Sequence, residues 1–90
     1  FLATKVAFFN QIHDLCEATG TNYDTVASTV SMDARIGTSH TVVTDERGFG
    51  GHCLPKDTNA ISYSATLHNV ELSIIDAAIN YNLTIRKDLD

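Results

Sequence analysis

Basic residues are scarce in this sequence. Six Lys and Arg stand against eleven Asp and Glu, giving a net charge of −5 over ninety residues. That deficit argues against a nucleic-acid binder, whose footprint is a basic face, and against a polybasic segment on an anionic membrane. Long hydrophobic runs are missing too. Uninterrupted apolar stretches reach only a few residues, whereas a helical membrane span takes roughly 20. No basic-then-apolar leader with a small-residue cleavage site opens the ninety residues. The only cysteines, Cys16 and Cys53, are too few for a disulfide framework, so a reduced, cytoplasmic setting is the expectation. An apolar share of 43% with 19% charged residues is ordinary globular composition rather than disorder. One domain is the limit at this length, and its core is thin, because so short a chain buries only about 60–65% of its unfolded surface.

The apolar spacing predicts four helices. The first spans Phe1 to Thr19 and ends at Gly20, a residue suited to a left-handed C-cap. Leu2, Val6, Phe9, Ile12 and Cys16 share one face, while Phe1, Phe8 and Leu15 extend the stripe beyond what a surface helix needs. Two readings of that breadth stay open: a central core helix of a monomer, or a helix covered by a second subunit or another domain. Thr21 or Asn22 can cap a second helix from about Tyr23 to Ser31, with Val26, Ala27 and Val30 inward. Thr41 to Thr44 is β-branched and expected to be extended. A third helix follows Cys53, with Pro55 in its first turn, and carries Ala60, Ile61, Tyr63, Ser64 and Leu67 as its pattern to about His68. The fourth begins near Glu71, buries Leu72, Ile75, Ile79 and Leu83, and places Arg86 and Lys87 in its last turns. The expected fold class is all-α, with four helices and one glycine-containing loop.

That loop, Gly48-Phe49-Gly50-Gly51-His52-Cys53-Leu54-Pro55-Lys56-Asp57, asks for more than packing. Gly50 and Gly51 permit positive φ and leave backbone amides uncovered for a ligand. Cys53 falls at the start of a helix, where free amides and the helix dipole favour a thiolate. Lys56 and Asp57 follow at i+3 and i+4, on the same side as the sulfur. A thiol, an ammonium and a carboxylate within one turn make a candidate nucleophile with its electrostatic support and a base. The alternative is a structural cysteine with ordinary first-turn charges. A metal site is disfavoured, since neither cysteine has a second ligand at zinc-like spacing, and no strand precedes a dinucleotide-type glycine turn.

The string GFGGHCLPKD resembles the GxGGxCxPKD signature of the UDP-glucose/GDP-mannose dehydrogenase family. Its flanks agree: Phe1-Leu2-Ala3 with Lys5, Leu15 to Gly20, and Met32 to Gly37. The resemblance covers nearly the whole chain and implies the family's central dimerisation domain, a fold similar to the 6-phosphogluconate dehydrogenase C-terminal-domain-like one. It implies an NAD-dependent, four-electron oxidation of a nucleotide sugar's primary alcohol through a cysteine thiohemiacetal and thioester. On that match Cys53 is the nucleophile and Asp57 handles protons and positions water. Lys56 lies near the cofactor, Phe49 and Gly50 line the sugar-nucleotide site, and Arg35 reaches across a homodimer interface built on the first helix. Arg35 could equally form a surface ion pair with Asp33. Arg35, Arg47 and Lys56 bring half of the basic side chains to the region expected to meet the anionic substrate.

Some features depart from the family pattern. Residues 40–47 align poorly, Asp45 and Glu46 put negative charge in a loop expected near phosphate, and His52 replaces a small or polar residue. Pro55-Lys56-Asp57 favours the UDP-glucose or GDP-mannose branches, whereas Gly-Gly-His-Cys also occurs in relatives that oxidise UDP-N-acetylmannosamine. The family's Rossmann NAD domain, its C-terminal nucleotide-sugar domain, and a catalytic lysine and asparagine upstream of Phe-Leu-Ala have no counterpart in these residues. The ninety residues alone are therefore expected to be inactive. A free-standing, non-catalytic dimerisation module and a redox or metal role for Cys53 are the competing expectations.

Overall fold

Four helices, and no strand, make up the described residues, 1–87, of a computed structural model: α1 (Leu2–Thr19), α2 (Tyr23–Val30), α3 (Cys53–Leu67) and α4 (Ser73–Ile85). No helix among these residues is long and apolar enough to cross a membrane. The helix ends follow from local chemistry. Gly20 closes α1 in the left-handed region at φ 70° and ψ 24°, where a Cβ would be strained. Asn22 caps α2 by accepting from the Thr25 amide at 2.9 Å, and Pro55 sits in the first turn of α3. α4 starts at Ser73, two residues after the expected Glu71, and ends at Ile85. Arg86 is thus its C-cap and Lys87 lies beyond it, rather than both filling the last turn.

α1 is the hub, packed against each of the other three helices, while α3 also leans on α4. Ala3 and Val6 of α1 join Phe49 from the connection between α2 and α3 in one buried cluster, with Leu54 against it. Cys16 is buried, as a small apolar residue on this face should be. The opposite side of α1 is open. Phe1, Phe8 and Leu15 are 92%, 56% and 59% exposed, so within this chain the broad stripe is covered on one side only.

Inward assignments fail in three helices. In α3 the expected Ile61, Tyr63 and Leu67 point outward, and the half-buried line is Leu54, Thr58, Ser62 and Ala65. The reason is polar: Ser62 Oγ donates to Asp76 Oδ1 of α4 at 2.5 Å, so α3 seats its small hydroxyl residues on α4. Leu83 in α4 and Val30 in α2 are likewise exposed. Thr41 to Thr44 pairs with no strand. Thr41 is instead buried at a turn, where its hydroxyl donates to the Thr38 carbonyl and its own carbonyl accepts from Tyr23.

Candidate active site

The glycine-containing loop is held residue by residue. The Glu46 carbonyl accepts from the Lys87 amide at 2.9 Å, and the Arg47 carbonyl accepts from Arg86 Nη1 at 2.8 Å. The Gly48 amide donates to Asn10 Oδ1 at 3.0 Å. Phe49 is gripped at both polar groups: its amide donates to Asn82 Oδ1 at 2.7 Å, and its carbonyl accepts from Asn82 Nδ2 at 2.9 Å. Asn10 of α1 and Asn82 of α4 are both buried, so these bonds work away from competing water and their loss would leave orphaned polar groups. Sequence reasoning missed both asparagines. The signal was present, because an amide inside an otherwise apolar helix face demands a partner.

Arg47 also departs from expectation. It adopts φ 63°, an unusual conformation for a residue with a side chain, and its guanidinium turns inward. Nε donates to Asn10 Oδ1 at 2.9 Å and Nη2 to Asp14 Oδ1 at 2.7 Å. Its charge is therefore committed to Asp14 instead of the expected anionic ligand. Asp14 in turn accepts a short hydrogen bond from the Tyr81 hydroxyl. Burial alone would raise the Asp14 carboxyl, but the Tyr81 hydroxyl, the Arg47 guanidinium and His13 outweigh it and hold it below the usual carboxylate value. Burial, and then the bond to Asp14, push Tyr81 up to about 12.

A depressed native carboxyl gives stability that is full above its unfolded value, about 3.9, and is lost as pH falls through the native value. Parent and Asp14→Asn chains are therefore expected to differ in urea midpoint at pH 7. That difference should shrink steadily below about pH 4. A gap that persisted unchanged into strong acid would contradict the ion pair.

The held loop delivers Cys53 to the first position of α3, where it is exposed and reduced. Lys56 and Asp57 follow on the first turn, their side chains exposed and 3.5 Å apart between Nζ and Oδ1. An i,i+4 relation places the Asp57 carboxylate on the helix face of the sulfur. Gly51 takes φ 81°, as a glycine turn requires, but Gly50 does not have positive φ. Gly50 is small for another reason: a Cβ there would lie 2.1 Å from Arg86 Nη2. Beside the loop is a groove of about 380 Å³ lined by Phe49, Gly50, Gly51, Pro55, Asn59 and α4 residues. The Phe49 side chain is in the core cluster.

Arg35 stands elsewhere. It is exposed, pairs with Asp33 through two parallel contacts at 3.0 and 2.7 Å, and borders a different groove with Phe1, Phe8 and Ile36. Its hydrogen bonds to Asp33 hold the Asp33 carboxyl below its usual value. Among the described residues no strand leads into a glycine turn, so no βαβ seat for a dinucleotide exists here. The exposed Lys56 ammonium lies 3.5 Å from the Asp57 carboxylate. No group of three His, Cys, Asp or Glu side chains among the described residues is arranged to hold a metal ion.

An all-helical unit that presents a cysteine, a lysine and an aspartate behind a glycine turn defines a class. Residues 1–84 match the model of the UDP-glucose/GDP-mannose dehydrogenase family, central domain, and the chain belongs to that family. It is 40% identical over 82 residues to a UDP-glucose 6-dehydrogenase of Rickettsia felis, covering 91% of this chain and 18% of the relative. It is 40% identical over 82 residues to the UDP-glucose 6-dehydrogenase TuaD of Bacillus subtilis, covering 91% and 17%. It is 38% identical over 80 residues to a GDP-mannose 6-dehydrogenase of Azotobacter vinelandii, covering 89% and 18%. The chain thus spans less than a fifth of the length of these relatives.

Proposed function

We propose that these ninety residues are the central domain of an NAD-dependent UDP-glucose 6-dehydrogenase, carrying its nucleophile and inactive without the cofactor and nucleotide-sugar domains. The observation that carries the reading is the exposed Cys53 at the head of α3, with Asp57 one turn behind it and the loop before it fixed to two helices. The Cys53 sulfur adds to the aldehyde carbon of the half-oxidised sugar, and the carbonyl oxygen takes the proton, giving a thiohemiacetal. Bound NAD would supply the hydride acceptor for the oxidations. At the thioester level Asp57 orients water and accepts its proton, so that the carboxylate leaves and the thiol returns. Lys56 faces the cofactor pyrophosphate, while Phe49 and Gly50 border the sugar. Arg35 would leave Asp33 to meet the substrate diphosphate of a partner subunit, because a guanidinium can donate two parallel bonds to phosphate.

The expected partner is a second copy, docked over the open α1 face of Phe1, Phe8 and Leu15, since a C2 pair covers a self-complementary patch. A cytoplasmic location follows from the same reading. The 38% identity to a GDP-mannose 6-dehydrogenase keeps that substrate as the second reading.

The test is a chimera in which this segment replaces the matching part of the Rickettsia felis relative. NAD reduction should appear with UDP-glucose and be far weaker with GDP-mannose. Preference for GDP-mannose would establish the second reading. A folded, dimeric chimera without turnover on either sugar would overturn both.

A further inference from the structure

We infer that Asn82, in the last turn of α4, is the positioning residue of the Cys53 loop. The inference starts from a two-way contact. One carboxamide, buried in α4, accepts from the Phe49 amide and donates to the Phe49 carbonyl, 33 residues away in sequence. It thereby fixes the orientation of one peptide unit on each side of Phe49, four residues before the sulfur. A planar group with one acceptor and one donor does this, which an amide provides at any pH and a carboxyl only when protonated.

The loop is shaped around that amide. A Cβ on Gly48 would fall 2.0 Å from Asn82 Oδ1, and Gly48 also takes φ 59°, so glycine there serves both the turn and the close approach of the asparagine. Phe49 is also the loop's only member of the buried cluster, with Ala3 and Val6, so Asn82 registers the loop against the core. Arg86, one turn later, reinforces the same segment through the Arg47 carbonyl. Asn82 borders the groove beside the loop, and its side-chain hydrogen bonds both go to Phe49. Its effect on turnover runs through the loop and rests on the reading of Cys53 as nucleophile. Its effect on the loop does not.

Asn82→Asp separates positioning from bulk packing. When ionised, the introduced carboxylate still accepts from the Phe49 amide but sets a second lone-pair oxygen against the Phe49 carbonyl. When protonated, it donates there and restores the original pattern. Burial and that opposed carbonyl raise the introduced carboxyl, while the guanidinium of Arg86 at Gly50 and that of Arg47 oppose the rise. The other titratable groups around the loop are His13 and Asp14 of α1, Tyr81 of α4, Asp45, Glu46, His52 and Cys53 along the connection itself, and Lys56 and Asp57 on α3. Each Asn82→Asp spectrum is therefore compared with the parent spectrum at the same pH. Asp14 lies below its usual value and Tyr81 at about 12, so neither changes charge between pH 7.5 and pH 5.

The experiment is amide NMR on the ninety-residue chain. In Asn82→Asp the Gly48, Phe49 and Gly50 signals should be displaced at pH 7.5 and return to parent positions at pH 5, while those of Val6 and Phe9 stay fixed. In Asn82→Leu, hydrogen exchange at Phe49 should accelerate at least tenfold at both pH values. If Asn82→Leu does not fold, Asn82→Ala, which removes the amide without adding bulk, should show the same acceleration at Phe49, and parent-like exchange there would equally overturn the assignment. Equal displacement of Asn82→Asp at both pH values, or parent-like exchange at Phe49 in a folded Asn82→Leu chain, would overturn the assignment. In the chimera, Asn82→Asp should lower kcat at least tenfold at pH 7.5 with KM within threefold. A Cys53→Ala chimera as active as its parent would instead sink the nucleophile, leaving Asn82 to be decided by the NMR signals.

Discussion

Cys53→Ala in the chimera is expected to lower carboxylate formation by at least about 10³-fold, the scale on which a lost nucleophile acts. The folded domain should remain intact. Cys53 is exposed, and its sulfur is in no disulfide, so the substitution belongs with surface changes that move stability by roughly 0.5 kcal/mol or less. Loss of product can then be assigned to chemistry instead of unfolding. The variant should also release aldehyde, trappable with a hydrazine, because nothing holds the half-oxidised sugar covalently. Asp57→Asn should cost roughly 10²–10⁴-fold, as loss of a proton-transfer group does. It should do so while still forming the covalent adduct, visible as a mass increase on the peptide carrying Cys53. Lys56→Ala should act mainly on KM for NAD. Full carboxylate production by Cys53→Ala would remove the nucleophile from the reading.

The helices were legible because their ends are local events. Gly20, Asn22 and Pro55 each act within one turn of their own position, and each does in the structure what its chemistry suggests. The all-α class and the glycine turn before Cys53 follow from the same short-range signals. What escaped depends on partners far along the chain. α3 shows an apolar pattern at Ile61, Tyr63 and Leu67, yet seats Thr58 and Ser62 inward, because Asp76 on another helix offers Ser62 a hydrogen bond. Arg47 reads as a cation for a phosphate until Asp14, 33 residues upstream, is seen to claim it. Asn10 and Asn82 show in the sequence only as amides on apolar helix faces, and their partner is a loop that crosses between their helices. The candidate site was thus legible in its reactive residues and illegible in its supports. Reactive residues cluster in one string, whereas supports are recruited from both ends of the chain.

Asn10→Leu is expected to destabilise the domain by about 3–5 kcal/mol, a large fraction of the roughly 5–13 kcal/mol that ninety residues sustain. Asn10 is 1% exposed, the most buried large side chain among the described residues. Its Oδ1 accepts from Arg47 Nε and from the Gly48 amide, and its Nδ2 donates to the Val6 carbonyl at 2.9 Å. Leucine fills nearly the same volume, so cavity formation contributes little. The cost comes from what is left behind. The Gly48 amide and Arg47 Nε, both part-buried, would be left without this acceptor, at up to about 1–3 kcal/mol each. Arg47, already held at φ 63°, would lose one of the bonds that keep it there. The melting temperature should fall by about 12 °C or more, since 1 kcal/mol shifts a domain of this size by roughly 4–8 °C. Asn10→Asp keeps the Oδ1 acceptor and adds charge opposite Arg47, but sets its second oxygen against the Val6 carbonyl. It should therefore lose less than Asn10→Leu without matching the parent. Gln11→Leu, one residue along and exposed, should move stability by no more than about 0.5 kcal/mol. Asn10→Leu melting within about 3 °C of the parent would mean that the loop does not depend on α1 for its polar contacts.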